Sequence, residues 1–137
     1  VMQNLEPMAA RTAQAIAHAP GCSANDVENL TTKALGILSQ QGFYAFALFL
    51  ATRRRQQDQS VAEAIDTQIR ALLVEAGMAA AELQNRPIHE FYRHVVAIQP
   101  TESAGEALQR LLLAKSLAEL ALTYTRYATK ARAAQER

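Results

Sequence analysis

The chain has 137 residues, half of them hydrophobic and a fifth charged, with a formal net charge of +1. A chain of that length forms one domain and buries about two-thirds of its unfolded surface, so neither disulfides nor metals are needed to hold a core. The composition excludes a mostly disordered chain, and the single cysteine, Cys22, excludes an internal disulfide and fits a reducing cytoplasm.

Every periodic stretch has the helical period, and no segment alternates polar and apolar over strand length. A first helix is expected from about Leu5 to His18, capped by Asn4, with Pro7 tolerable in its first turn and Ala19-Pro20-Gly21 ending it. Ser23 with Asp26 opens a second, whose stripe is Val27, Leu30, Ala34, Leu35 and Leu38, and Gly42 breaks it. The third, from Phe43 to about Arg55, is the most apolar and is expected at the centre of the core. Phe43, Phe46, Ala47 and Leu50 share one face, and Arg53, Arg54 and Arg55 suit its negative pole. Ser60 and Glu63 read as a capping box for a fourth helix, with Val61, Ile65, Ile69, Leu72 and Leu73 inward and Gly77 either stopping or bending it.

A fifth helix starts at Asn85-Arg86-Pro87, is lined by Ile88, Phe91, Tyr92, Val95 and Val96, and ends at Gln99-Pro100. Ser103 and Glu106 cap a long last helix reaching about Ala134. It is apolar nearly all round between Leu111 and Leu122. One side is Leu113, Leu117, Leu120, Ala121, Tyr124 and Ala128; the other, with Leu108, Leu111, Leu112 and Leu122, is a candidate partner surface. The whole reads as an all-α, single compact bundle of five to six helices over residues 1–137, with 1–4 and 132–137 frayed. The longest apolar run, Phe43 to Ala51, has nine residues. A bilayer span needs about 20. The first residues lack a basic patch followed by an apolar run, so neither a membrane partner nor a secretory leader is expected.

Charge is uneven along the chain. Residues 1–57 carry five basic and three acidic groups, 58–107 three and eight, and 108–137 six and two. An acidic middle between basic ends supports head-to-tail association as readily as it describes an uneven surface.

Nothing in the sequence assembles an active site. His89 and His94 stand five apart, about 140° around a helix, and cannot jointly grip one ion. Cys22 has no histidine or basic cluster nearby, the glycines form no phosphate loop, and no carboxylate pair sits on an apolar stripe. No catalytic residue, metal or cofactor is expected. The basic clusters carry more information. Arg53, Arg54 and Arg55 are either helix-end charges or phosphate contacts, since guanidinium groups grip phosphate oxygens in pairs. Lys115, Arg126 and Lys130 fall within about 60° of one another on the last helix, expected opposite its buried side, and either form a solvated face or follow a nucleic-acid backbone. Arg11 and Lys33 are weaker candidates for the same contact. No exposed aromatic platform for stacking bases is expected.

Two segments carry a family resemblance. One is TTKALGILSQQGFYAFALFLATRRR, residues 31–55; the other is LQRLLLAKSLAELALTYTRYATKA, residues 108–131. With the opening MQNLEPMAARTAQAIAHA, they resemble the small helical subunit of the Cmr effector complex, the type III-B CRISPR machinery. The last helix of that family often carries a tryptophan a few residues before an Arg-Phe-Ala. Here Thr123 stands in that place, and Tyr127 replaces the phenylalanine. The resemblance implies a non-catalytic bundle that stacks with copies of itself and other subunits along a ribonucleoprotein. It also implies support of the duplex of guide RNA and target RNA by shape and phosphate, in antiviral defence in the cytoplasm. Arg53, Arg54, Arg55, Lys115, Arg126 and Lys130 would then meet RNA backbone, and Leu111, Leu112 and Leu122 would meet protein. The related type III-A small subunit and a purely protein-binding helical adaptor are the alternatives.

Overall fold

Alanine- and leucine-rich segments punctuated by three glycines with positive φ (Gly21, Gly42 and Gly77) fold into helices alone. The computed structural model describes residues 4–53 and 56–136, without the side chains of Gln56 and Gln57. Among these residues there are six α-helices: α1 (Glu6–Ala17), α2 (Ala24–Gln41), α3 (Phe43–Ala51), α4 (Gln56–Glu75), α5 (Ile88–Val96) and α6 (Ala104–Gln135). One 3₁₀ turn, Ala81–Leu83, precedes α5, and no strand is present among the described residues. Among the same residues no helix is long and apolar enough to cross a membrane.

Local chemistry sets most boundaries. The Asn4 side chain accepts from the Glu6 amide at 3.1 Å, and Ser23 accepts from the Asp26 amide at 3.1 Å. Gly42, at φ 89°, ends α2 and starts α3 as the single residue between them. Ser103 and Glu106 form both halves of a capping box at the start of α6. The box expected at Ser60 and Glu63 does not exist. α4 begins at Gln56, so Ser60 is already inside the helix, and Glu63 accepts from Gln59 instead, at 3.3 Å. The helix propensity of the preceding glutamines extends α4 backwards past that signal.

α6 is the spine. At 32 residues it is about 48 Å long, against about 18 Å for α1 and 27 Å for α2. α1 runs parallel to it: Tyr124 lies by Glu6, and the Arg132 guanidinium donates to the Ala17 carbonyl at 2.9 Å. α2 runs antiparallel: Lys115 donates to the Ser39 carbonyl at 2.9 Å near one end, and Lys130 lies 4.0 Å from Glu28 near the other. The three close on small side chains, with Ala9, Ala13, Ala17, Ala34, Ala114, Ala118 and Ala121 all buried, which lets the helix axes approach closely. Buried Thr125 returns its hydroxyl to the Ala121 carbonyl at 2.8 Å, so burial leaves no donor stranded there.

α3 is not the centre of the core. Its expected face is buried, but Tyr44 and Leu48 stand half-exposed on the other side, and the helix stops at Thr52 rather than near Arg55. Hydropathy alone could not separate a central helix from one that buries a single face at an edge. α3 packs antiparallel on α5. The Tyr92 ring lies at 5.7 Å from Phe43, 5.8 Å from Phe46 and 5.0 Å from Phe91. Val96, expected inside, is exposed at the end of α5. Residues 132–135, expected to fray, are helical, and Arg132 is tied to Glu136 at 2.8 Å.

Candidate nucleic-acid and protein-contact surfaces

The strip of Lys115, Arg126 and Lys130 forms as a strip, but not on the side of α6 opposite the core. It runs along the seam with α2. Lys115 is tied to Ser39, Glu119 of the same strip accepts from the Ser39 hydroxyl at 2.9 Å, and Lys130 faces Glu28. Arg126 is half-buried between them, and its Nε is enclosed without a hydrogen-bond partner. The spacing places the three on one face correctly. The buried face of α6 lies at Ala107, Ala114, Leu117, Ala118, Ala121, Leu122, Thr125 and Thr129, adjacent to the strip. Leucine content at 111–113 pulls the expected core towards the wrong side.

Arg53 follows the end of α3. Its guanidinium stacks over the Phe49 ring at 4.6 Å, Nη2 donates to the Thr52 hydroxyl at 3.4 Å, and Nε is enclosed without a partner. Arg54 and Arg55 lie outside the described residues. Arg11 pairs with Glu75. Lys33 is exposed on the outer side of α2.

The three leucines expected to meet protein divide three ways. Leu112 is 57% exposed, Leu111 is half-buried against the core, and Leu122 is wholly buried. Leu122 therefore leaves the candidate surface: it stands one turn on from Ala118, shares that residue's side of α6 and faces inward with it. Leu108 and Leu113, 58% and 53% exposed, join Leu112 on the first turns of α6. Leu113, expected inside, is thus outside. These turns extend past the C-terminal end of α2, and no neighbouring helix among the described residues covers the three side chains.

Two arginines that the sequence did not single out anchor the loops. Arg70 on α4 is only 7% exposed. Its Nε and Nη2 grip the Asp66 carboxylate at 2.8 and 2.9 Å, Nη1 donates to the Gln84 carbonyl at 2.9 Å and to that of Arg86, and the guanidinium stacks on Phe91 at 5.2 Å. Burial holds the Asp66 carboxyl above its ordinary range, more than Arg70 lowers it. Arg110 on α6 grips Glu102 at 2.7 Å and donates to the carbonyls of Val95 and Ala97 at 2.7 and 2.8 Å, fastening the end of α5. That guanidinium holds the Glu102 carboxyl below its ordinary range. Both arginines satisfy carbonyls that helix ends and turns leave free.

Clefts are shallow. One of about 480 Å³ is bordered by Leu50, Ala51, Arg53, Gln59, Glu63, Asp66 and Ile88, between the end of α3 and the start of α5. Among the described residues no three metal-ligating side chains converge. His89 and His94 are both exposed on α5, and burial raises the Cys22 thiol. Comparison with known proteins finds no match among family models, curated proteins or solved structures.

Proposed function

We propose that this protein is a non-catalytic small subunit of a cytoplasmic ribonucleoprotein, the type III-B CRISPR (Cmr) effector complex. In this reading it stacks along the filament, beside the subunits that hold the guide RNA, and supports the guide–target duplex in antiviral defence. The observation that carries the reading is the exposure of Leu108, Leu112 and Leu113 on the first turns of α6, Leu108 and Leu112 on one side and Leu113 about 140° round from Leu108. Three leucines within two turns, each more than half exposed, are costly to leave in water and mark a surface meant for protein. The resembling segments fall on α1, on α2 with α3, and on α6.

One observation favours the plainer reading of a protein-binding adaptor. Lys115 and Lys130 are engaged by α2, which lowers their availability to phosphate. Recovery of a tagged chain from its host, with and without ribonuclease, separates the two. Short RNAs of uniform origin with several larger subunits are expected, and the identity of those subunits distinguishes a type III-B from a type III-A assembly. A single protein partner that survives ribonuclease, without RNA, would leave the adaptor.

A further inference from the structure

The cleft between the end of α3 and the start of α5 has oppositely charged walls. On one side stands Arg53, its guanidinium flat on the Phe49 ring. On the other, Glu63 and Asp66 stand one turn apart on the same side of α4. Neither Arg53 nor Glu63 makes an ion pair among the described residues, so the cleft keeps the two signs apart. The surface between them is aliphatic, formed by Leu50, Ala62 and Ile88.

A further polar group lies behind the acidic wall. Tyr92 follows Ile88 by one turn on the same side of α5, and helical side chains lean towards the N-terminus, so its ring runs back towards the level of the cleft. The residue is wholly buried, and its hydroxyl is enclosed without a hydrogen-bond partner. Burial first, and the Asp66 charge next, push that hydroxyl well above its ordinary range, which sets it beside Asp66. The two Asp66 oxygens each accept once, from Arg70, and each keeps a second lone pair. Glu63 accepts from the Gln59 amide at 3.3 Å. Glu63, Asp66 and the Tyr92 oxygen together offer three acceptors, matching the three N–H donors of a primary ammonium. The Asp66 carboxyl also stays above its ordinary range in spite of Arg70, so a further cation beside it is favourable.

We infer that this cleft binds a small aliphatic zwitterion of dipeptide length, its ammonium on Glu63 and Asp66 and its carboxylate on Arg53. Guanidinium forks suit carboxylates, and an arginine already stacked on a ring loses little freedom on binding. Length selects among zwitterions. A free amino acid carries both charges on one carbon, whereas the termini of an extended dipeptide stand about 7 Å apart, a span that suits charges on opposite walls. The volume of about 480 Å³ is in the usual range for a small-ligand site, and Leu50, Ala62 and Ile88 suit aliphatic side chains. This site is separate from the exposed leucines of α6 and needs neither RNA nor a protein partner.

The test is an NMR titration of the isotope-labelled full chain with leucyl-leucine. Saturable shifts at the cleft residues are expected, with a dissociation constant of about 0.2 mM from the efficiency typical of small ligands. Two analogues of the same shape lack one charge each: 4-methylpentanoyl-leucine has no ammonium, and leucyl-leucinamide has no carboxylate. Both are expected to bind about tenfold more weakly. Glu63→Gln and Arg53→Met are each expected to weaken leucyl-leucine binding about tenfold with the unfolding midpoint unchanged. Tyr92→Phe is expected to weaken it about threefold or more without loss of stability, a combination that a purely structural role would not give. Absence of saturable shifts up to about 10 mM ligand would overturn the inference. So would parent-like affinity for either single-charge analogue, or in either the Glu63→Gln or the Arg53→Met variant, because the cleft would then be an apolar depression whose charged walls take no part.

Discussion

Replacing Arg70 with methionine removes a side chain that joins three parts of the molecule at once. Two of its hydrogen bonds go to Asp66 and two to the carbonyls of Gln84 and Arg86. The pair is poorly exposed, at 9% and 18% of the side chains, so solvent screening offers little relief. Removing one member of such a pair costs about 3–5 kcal/mol, because the other is left buried and charged. For a chain of this length that is a fall in Tm of about 10–15 °C. The double variant Asp66→Leu/Arg70→Met separates the contributions. It relieves the orphaned carboxylate but not the two carbonyls, so about 2 kcal/mol of the loss remains. Urea unfolding followed by circular dichroism gives both numbers, provided that the dependence on denaturant is unchanged between variants. A loss below about 1 kcal/mol for Arg70→Met, or full recovery in the double variant, would refute the claim that this arginine holds the 84–86 segment against α4.

Other outcomes follow from the same contacts. Leu122→Ala should cost about 3–5 kcal/mol, whereas Leu112→Ala should stay within about 0.5 kcal/mol; equal losses by thermal melting would contradict the burial assigned to each. The Tyr92 hydroxyl is enclosed without a hydrogen-bond partner, so Tyr92→Phe should be neutral or stabilising by up to about 1 kcal/mol. A clear loss there would reveal a hidden partner. Because Arg110 depresses the Glu102 carboxyl, the stability it contributes is present above the ordinary carboxylate range and is lost as pH falls through the depressed value. A Glu102→Gln variant should therefore show a flatter acid limb in a pH series of melts. Ser103→Ala removes half of the α6 capping box and should cost about 1 kcal/mol, visible as a lower urea midpoint.

Periodicity and punctuation made most of the fold legible. The stripes of α2 and α4 and the glycine stops at 42 and 77 are local signals, and they stand where the sequence puts them. What failed depended on neighbours. The Ser-x-x-Glu pattern at 60–63 is a cap only if the helix begins there, and the preceding glutamines let it begin earlier. On the first half of α6, leucine and alanine exchange roles, although Leu117 and Leu122 further on are buried. The buried seam is drawn by Ala114, Ala118 and Ala121, where helices come close, while Leu108, Leu112 and Leu113 project beyond them. A rule that sends the larger apolar residue inward reverses at such a seam. Of the candidate basic residues, the offsets of 11 and 4 established that Lys115, Arg126 and Lys130 share a face, but not that α2 would occupy its flank. The roles of Arg70 and Arg110 were invisible, because the carbonyls that they satisfy lie 13 to 16 residues away in the chain.

The pairing of α1 with α6 also has a consequence for synthesis. Arg132 and Ala17 touch although they stand 115 positions apart in the chain, so the first of the six helices to be made finds its main partner in the sixth. Until α6 leaves the ribosome, α1 and α2 lack their largest partner and can pack only on α3 and α4. α3 and α5, joined by Phe43, Phe46 and Tyr92, and α4, joined to α5 by Arg70 over Phe91, have partners nearer in sequence and can gather first. The spine of the bundle is therefore the last of its helices to exist. A nascent chain halted before residue 104 would display two unfinished helices, dependent on chaperones or on an early partner to keep them apart from others.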